Sequence, residues 1–450
     1  MKIIIVGCGK VGQTLAAELN EEGNDIVVID SDEVKARALA TKYDLMGVIG
    51  NGATREIQKE AGIDSADLLI AVTGSDELNL LCCVMAKKTG DCRTIARVKS
   101  PEYATDAIYL KNELGLSMII NPEYAAAEEI SRILSFPSAM KIDTFAKGKV
   151  ELLKFRLPEG SPLVGLSVRE VMTKFRYNML ICVVERGEES FIPNGNFIFE
   201  EKDIISIVAP PKSANAFFTR MGYKADPIKN AIIIGGTAIT PYLIECLAKS
   251  QIKIKVIEKR RSVCEELAKK YGNVTVICGD PADEDTLREE GADKADAFIA
   301  LTDMDEENIL LSLFAKGGGA RKVITKINRI DYDSVISKLD LDTTIYPKNI
   351  TASKILHFVR ASNNSRGSSM ETLYSINEEV EAAEFIIGKN SPIAGTPLSQ
   401  LKFKQGVLVA AVLRARQVII PDGSTVIEEG DSIVAVTKKI ALTNARDLLR

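Results

Sequence analysis

The chain has 450 residues, 46% of them hydrophobic and 26% charged, with a formal net charge of −5. That length exceeds one ordinary core and suits about three domains or four small ones, and the acidic balance excludes a general nucleic-acid binder. No apolar run approaches the roughly 20 residues of a spanning helix, and MKIIIVG enters a strand without the h-region of a signal peptide, so a cytoplasmic protein is expected.

In chain order, short apolar runs alternate with helix-length amphipathic segments. KIIIVG is followed by a helix over Val11–Glu22, DIVVID by a helix over Glu33–Tyr43, then come LMGVIG, ADLLIAV, a helix over Asp76–Lys88, and TIARV. Alternation of this kind predicts a Rossmann-like, doubly wound parallel sheet.

Within it, GCGKVG follows a strand and opens a helix, the context a dinucleotide fingerprint requires. Gly7 permits the tight turn, Gly9 lets the backbone approach a pyrophosphate, and Gly12 lets helix pack on strand. A phosphate would meet the helix N-terminus, where free N–H groups and the dipole favour an anion. Asp30 stands where a carboxylate accepts from an adenosine ribose, and Asp32 beside it would repel a 2′-phosphate, so NAD(H), ATP or ADP are favoured over NADP. Asn51 and Thr73 fall at the ends of predicted strands, the ligand-binding edge of open α/β sheets. Arg97, near the end of TIARV, can reach phosphates or make an ordinary salt bridge. Asp76 and Glu77 read as N-terminal helix acids.

Further on, Asn121–Phe136 predicts a helix opened by Pro122 and closed before Pro137, suited to connecting or dimerising. The runs ELLKFRL, MLICVVERG, SFIPN and DIISIVAP, with a helix over Val168–Phe175, then read as a small α+β domain.

The pattern then starts again. Gly235 repeats Gly7 and Glu258 repeats Asp30 at an offset of 228, and after one insertion AVTGSDELN is echoed by ALTDMDEEN. SPLVGLSVREV and SPIAGTPLSQL, IPNGNFIFEEKD and IPDGSTVIEEGD carry the match through the small domain. The chain is a tandem duplication of two-part repeats, giving expected domains at 1–122, 140–225, 229–350 and 370–450. In the second copy GGTAIT puts Thr237 and Thr240 at the second and third glycine positions. One branched side chain stands where the pyrophosphate would pass, and the other forces helix and strand apart. Gly235, Glu258, Asp280 and Thr302 remain as matching candidates for nucleotide contact, with Lys259, Arg260 and Arg261 following the acid. Nucleotide binding here and a fold kept for packing both stay open. ASNNSRGSS, residues 361–369, marks a loop or linker.

Catalysis is not supported. None of the 11 tyrosines has Lys four residues on, and the sole histidine, His357, reads as a structural residue between Leu356 and Phe358. The eight cysteines include no CxxC pair, so reduced, mostly buried thiols and no metal site are expected. A nucleotide sensor is preferred over the alternative, an NAD-dependent oxidoreductase of unknown substrate.

The order GCGKVG, Asp30, GNGAT, AVTGSDELN, IARV and then SPLVG…IPNG…D, present twice, closely resembles the TrkA family of peripheral potassium-uptake subunits, built from RCK (KTN) domains. The resemblance implies N-lobes that bind NAD(H) or ATP/ADP and C-lobes that complete a ring. It implies a homo-oligomer, a dimer or a tetrameric ring, attached through a membrane potassium channel or transporter subunit to the inner face of the cell membrane. It carries nucleotide contacts onto Gly7, Cys8, Gly9, Lys10, Val11, Asp30, Asn51, Thr73, Gly74 and Arg97.

Overall fold

The computed structural model describes the chain except residues 101, 102, 104, 105, 136–138, 159, 176, 177, 188, 222–227, 249, 329–332, 337, 338, 340, 364–368, 378, 390, 416, 439–441 and 443. In the first repeat β1 (Lys2–Val6), β2 (Asp25–Asp30), β3 (Met46–Ile49), β4 (Leu68–Ala71), β5 (Arg93–Arg97) and β6 (Met118–Ile120) form a parallel sheet of order β3-β2-β1-β4-β5-β6. Ile3, Ile4 and Ile5 are wholly buried on both faces, which is why β1 reads as a continuous apolar run. Each such side chain contributes about 1.5–3 kcal/mol through burial. Helices α1 (Lys10–Glu21), α2 (Glu33–Tyr43), α3 (Arg55–Glu60) and α4 (Asp76–Thr89) make the crossovers.

The small domain of the first repeat is an antiparallel sheet of order β10-β9-β11-β8-β7, built from β7 (Lys141–Phe145), β8 (Val150–Arg156), β9 (Leu180–Arg186), β10 (Glu189–Phe191) and β11 (Ile204–Ala209). Strand β7, KIDTF, escapes sequence reading because it is short and its Lys141 and Asp143, paired at 3.0 Å, interrupt the apolar pattern. The second repeat reproduces both sheets. Strands β12 (Asn230–Ile234), β13 (Lys253–Glu258), β14 (Thr275–Cys278), β15 (Ala297–Ala300), β16 (Lys322–Lys326) and β17 (Thr343–Ile345) run parallel in the order β14-β13-β12-β15-β16-β17. Strands β18 (Ser369–Ser375), β19 (Val380–Ile386), β20 (Val407–Arg414), β21 (Gln417–Ile419) and β22 (Ser432–Lys438) form β18-β19-β22-β20-β21.

The expected loop at 361–369 is corrected in part. A helix spans Pro347–Asn363 and β18 begins at Ser369, with 364–368 outside the described residues. Burial of Ile355, Leu356 and Val359 holds that helix despite its Ser and Asn content. His357 lies in it, its side chain outside the described residues. Among the described residues no helix is long and apolar enough to cross a membrane.

Like parts pair with like. One compact unit holds Met1–Ser131 with Lys229–Leu356, and the other holds Arg132–Ile228 with His357–Arg450. In the second unit the two small sheets share a core in which Phe145, Val150, Leu152 and Val183 meet Val380, Ala382, Ala411 and Val436. Tyr374 donates to the Thr144 carbonyl at 3.1 Å and packs edge-on against Phe145. The repeated acids of the small domains are structural. Arg186 grips Asp203 through Nε and Nη2, both at 2.8 Å, and Arg414 grips Asp431 the same way at 3.0 and 2.7 Å.

Candidate nucleotide site

The three glycines of the first repeat have three different surroundings. Gly7 has φ +107°, and a Cβ on it would lie 2.9 Å from the Thr73 nitrogen, so only glycine fits. A Cβ on Gly12 would lie 1.9 Å from the Gly7 carbonyl oxygen. Around Gly9 nothing lies within 4 Å of that position, and the residue is exposed. Two glycines therefore build the turn, and the middle one opens onto free space.

That space lies at the start of α1. Its N-cap, Gly9, offers no side-chain acceptor, and no acidic residue stands in the first turn. By contrast Asp32 caps α2 through the Val34 and Lys35 N–H groups, and Ser75 caps α4. The leading N–H groups of α1, from Lys10, Val11 and Gly12, have no acceptor within the helix, and they form its positive end.

Asp30 closes β2 beside this turn. Its Oδ2 accepts from the Cys8 N–H at 2.7 Å and its Oδ1 from the Asp32 N–H at 2.9 Å, leaving further lone pairs on both oxygens. The Cys8 thiol is buried, and burial together with the negative Asp30 pushes it up to about 12, so it stays neutral. Asp32 is ion-paired with Lys35 at 2.9 Å.

The other candidates lie at the same edge of the sheet. Asn51, after β3, is exposed and accepts from the Ala53 N–H at 3.0 Å. Thr73, after β4, donates its N–H and hydroxyl to Asn79 Oδ1 at 2.7 and 2.8 Å, and Gly74 beside it is exposed. Asn79 Nδ2 donates to the Arg97 carbonyl at 2.9 Å, while the Arg97 guanidinium donates to the Thr73 carbonyl. Thr73, Asn79 and Arg97 thus lace the ends of β4 and β5 together. Arg97 Nε is buried with no hydrogen-bond partner. Burial lowers its pKa, opposed by nearby Glu123 and Asp76. Asp76 caps the loop after β5, accepting from the Lys99 and Ser100 N–H groups at 2.9 and 2.8 Å.

Sequence reasoning missed Glu123, Asn121 and Tyr242. The Glu123 carboxyl is raised by burial, with its Oε2 unpartnered. Tyr242, from the helix Ile239–Leu247 of the second repeat, donates to the Lys99 carbonyl at 3.0 Å and accepts from Asn121 Nδ2 at 2.9 Å. No local pattern announces these contacts. Only the identity of Asn79 with Asn308 in the other copy gives a signal for the lacing.

In the second repeat the same positions are filled from within. Gly235 keeps φ +96°. Thr240 is buried and donates its hydroxyl to the Gly235 carbonyl at 2.6 Å. The helix begins at Ile239 rather than at 238, the position matching Lys10, as a side chain against the turn demands. The Thr237 hydroxyl oxygen is buried without a partner. Glu258 accepts from the Gly236 N–H at 2.6 Å, and from Arg260 through N at 2.7, Nε at 2.9 and Nη2 at 3.0 Å. Arg260 Nη2 also reaches the Gly236 carbonyl at 3.2 Å. Burial acts to raise the Glu258 carboxyl, but the hydrogen bonds from Arg260 and Gly236 outweigh it and bring it to about 2. Asp280 is exposed and accepts from the Ala282 N–H at 2.9 Å, and Thr302 donates its N–H to Asn308 Oδ1 at 2.8 Å. Lys326, matching Arg97, pairs with Asp303 at 3.2 Å.

Comparison with known proteins agrees with this architecture. The TrkA-N domain family model matches residues 3–122 and 231–347, and the TrkA-C domain model matches residues 152–222 and 382–450. The chain is 35% identical over 443 residues to the Trk system potassium uptake protein TrkA homolog 1 of Methanosarcina mazei, covering 96% of each. It is 33% identical over 440 residues to TrkA of Vibrio alginolyticus, covering 96% of this chain and 95% of the relative. Among solved structures it shares the fold of the GsuK channel bound to NAD, with a TM-score of 0.64 at 17% identity, over 97% of this chain and 76% of that one.

Proposed function

The chain belongs to the TrkA family of potassium-uptake proteins, and from that premise we propose that its first repeat is the nucleotide-sensing site of a regulatory subunit that gates a membrane potassium transporter or channel. RCK N-lobes at 1–122 and 229–350 carry the sensing edge, and C-lobes at 140–225 and 370–450 serve assembly into a homo-oligomeric dimer or tetrameric ring. The subunit is cytoplasmic and attaches to the inner face of the membrane through its partner.

The observation that carries this reading is the uncapped start of α1 beneath the open space at Gly9. A pyrophosphate of NAD(H), ATP or ADP seats there against the N–H groups of Lys10, Val11 and Gly12. Gly7 and Cys8 hold the turn. The spare lone pairs of Asp30 accept the ribose hydroxyls, and because Asp32 is already paired with Lys35, exclusion of a 2′-phosphate rests chiefly on Asp30. Asn51, Thr73 and Gly74 line the edge, and Arg97 supplies the positive charge behind them. In the second repeat Gly235, Glu258, Asp280 and Thr302 take a nucleotide only when Arg260 withdraws from Glu258.

A ligand shifts the assembly only by its differential affinity for two shapes, and couplings of about 1–3 kcal/mol per site are typical. Several identical sites in a ring multiply that bias. Calorimetry on the wild type, Gly9→Val and Asp30→Ala tests the site: unchanged affinity in both variants removes it from the first repeat. Potassium flux into liposomes holding the membrane subunit, with each nucleotide in turn, tests the gate. Flux indifferent to both chain and nucleotide refutes it.

A further inference from the structure

The second repeat contains a pair of cysteines that its first-repeat counterpart lacks. Cys278 ends β14 and is exposed, while the other seven cysteines are buried or half-buried. Cys264 lies in the first turns of the helix Arg261–Lys270, is buried, and donates its S–H to the Glu258 carbonyl at 3.1 Å. Glu258 is also the residue beside which Cys278 pairs in the parallel register of β13 and β14. Both residues therefore meet at one backbone position, and the Cys278 thiol lies near enough to help raise the Cys264 thiol. The matching first-repeat residues are Ala36 and Ile49, so the fold itself requires no sulfur at either place.

We propose that Cys264 and Cys278 are a redox modification site, at which a peroxide or a low-molecular-weight disulfide closes an intrachain disulfide. With a peroxide, the Cys278 thiolate attacks one oxygen, the O–O bond breaks and hydroxide leaves, giving a sulfenic acid. The Cys264 sulfur then attacks the Cys278 sulfur, its proton passes to the departing hydroxide, and water leaves. The sum is two thiols and one peroxide going to one disulfide and two waters, the sulfurs oxidised and the peroxide reduced. With a disulfide oxidant, Cys278 forms the mixed disulfide and Cys264 displaces the second thiol.

The division of labour follows from access. Cys278 meets the oxidant, while buried Cys264 resolves. Its thiol is pushed up to about 11 by burial and then by Cys278, which keeps it protonated and out of the first step. Cys82, Cys83 and Cys92 of the first repeat lie near one another too, but all three are buried and burial raises each thiol, so no oxidant reaches them. Closure ties the helix to the end of β14 through a loop of about 15 residues, next to Gly279–Asp280 and the carboxylate that Arg260 holds. The inference does not rest on nucleotide binding.

The test uses the full-length reduced protein exposed to hydrogen peroxide or oxidised glutathione, followed by alkylation, non-reducing peptide mapping and intact mass. The expected result is a Cys264–Cys278 linked peptide, loss of two hydrogens, and full reversal by dithiothreitol. In Cys264→Ala, which installs the first-repeat residue, Cys278 should stop at a sulfenic acid trapped by dimedone or at a glutathione adduct. Cys278→Ser, a change at an exposed site, should leave Cys264 unmodified. The proposal is overturned if Cys264 remains alkylatable once Cys278 is oxidised, or if Cys278 links only between chains. It is overturned equally if Cys278 does not react.

Discussion

Tyr242 of the second repeat donates its phenol to the Lys99 carbonyl of the first at 3.0 Å. Lys99 in turn gives its N–H to Asp76, the acid opening α4 beside Thr73. The helix that follows the altered glycine turn thus ends its hydrogen bonding on the strand-end loop next to the intact one. Loss of glycines in the second copy is compatible with this use, because Ile239, Tyr242, Leu243 and Leu247 are all buried. The duplicated helix thus supports the loop after β5, beside Thr73 and Arg97.

Tyr242→Phe should therefore destabilise the protein. It keeps the ring, which packs edge-on against Tyr124 at 5.8 Å, but removes the phenol from the Lys99 carbonyl and from Asn121 Nδ2, which still bond each other at 3.3 Å. A lost hydrogen bond of this kind costs about 0.5–1.5 kcal/mol. Thermal and denaturant unfolding of the full chain measures it, and a loss well under that range would mean water replaces the phenol.

The glycines should separate by role. Gly7→Ala places a side chain at φ +107° and against the Thr73 backbone, costing about 1–3 kcal/mol. Gly12→Ala overpacks the turn by a similar amount. Gly9→Ala meets nothing within 4 Å and should stay within about 1 kcal/mol of wild type. Circular dichroism melts of the three variants decide, and equal losses in all three would contradict the assignment of Gly9 to ligand approach.

Glu151 should make stability fall between about pH 4.5 and about 7. It is buried on β8, its Oε2 unpartnered, and burial raises its carboxyl to about 7 against the pull of Arg132. A folded pKa above the unfolded value means the contribution is full below about 4.5 and lost as pH rises through about 7. Glu151→Gln removes that dependence, and at pH 8 it should be the more stable form by about 1–3 kcal/mol, screening by water at its partly exposed face included. Parallel melts at pH 5 and 8 show whether the gap opens in that direction.

The fold was legible wherever one element determined its own pattern. β1 reads as a strand because Ile3–Ile5 are buried on both faces, and α2 as a helix because a helix-length segment of mixed apolar and charged residues follows DIVVID, while its Asp32 cap emerged only in the structure. Asp30 and the glycines were legible because the turn chemistry fixes their spacing. Asn79 was visible only as a repeated letter, since its lacing of Thr73 to Arg97 joins two strand ends. Tyr242 was illegible: its partners lie more than a hundred residues away, and a tyrosine on an apolar helix carries no mark of them. The pairing of sheet with like sheet was hidden for the same reason, because Phe145 and Tyr374 meet only once the whole chain has folded.

Arg260 was legible only as part of a charge run, yet it separates the two repeats most sharply. Asp30 holds two backbone N–H groups, whereas Glu258 holds one from Gly236 and three donors of Arg260. A ribose arriving at Glu258 must displace a charged, bidentate partner, which no ligand hydroxyl matches in strength. Wild-type protein should bind one nucleotide tightly per chain by calorimetry. Arg260→Ala removes the side-chain donors and leaves a buried carboxylate with backbone partners alone, lowering stability by about 1–3 kcal/mol. The Glu258 carboxyl should then climb from about 2. Because a depressed folded pKa gives stability that is present above about 4.5 and lost as pH falls through about 2, the variant should lose part of the wild type's acid dependence in that window. If Arg260 alone closes the second repeat, the variant also gains a second, weaker nucleotide site. If Thr237 and Thr240 close it as well, stoichiometry stays at one while the acid dependence still changes, so the two measurements assign the block to the guanidinium or to the threonines.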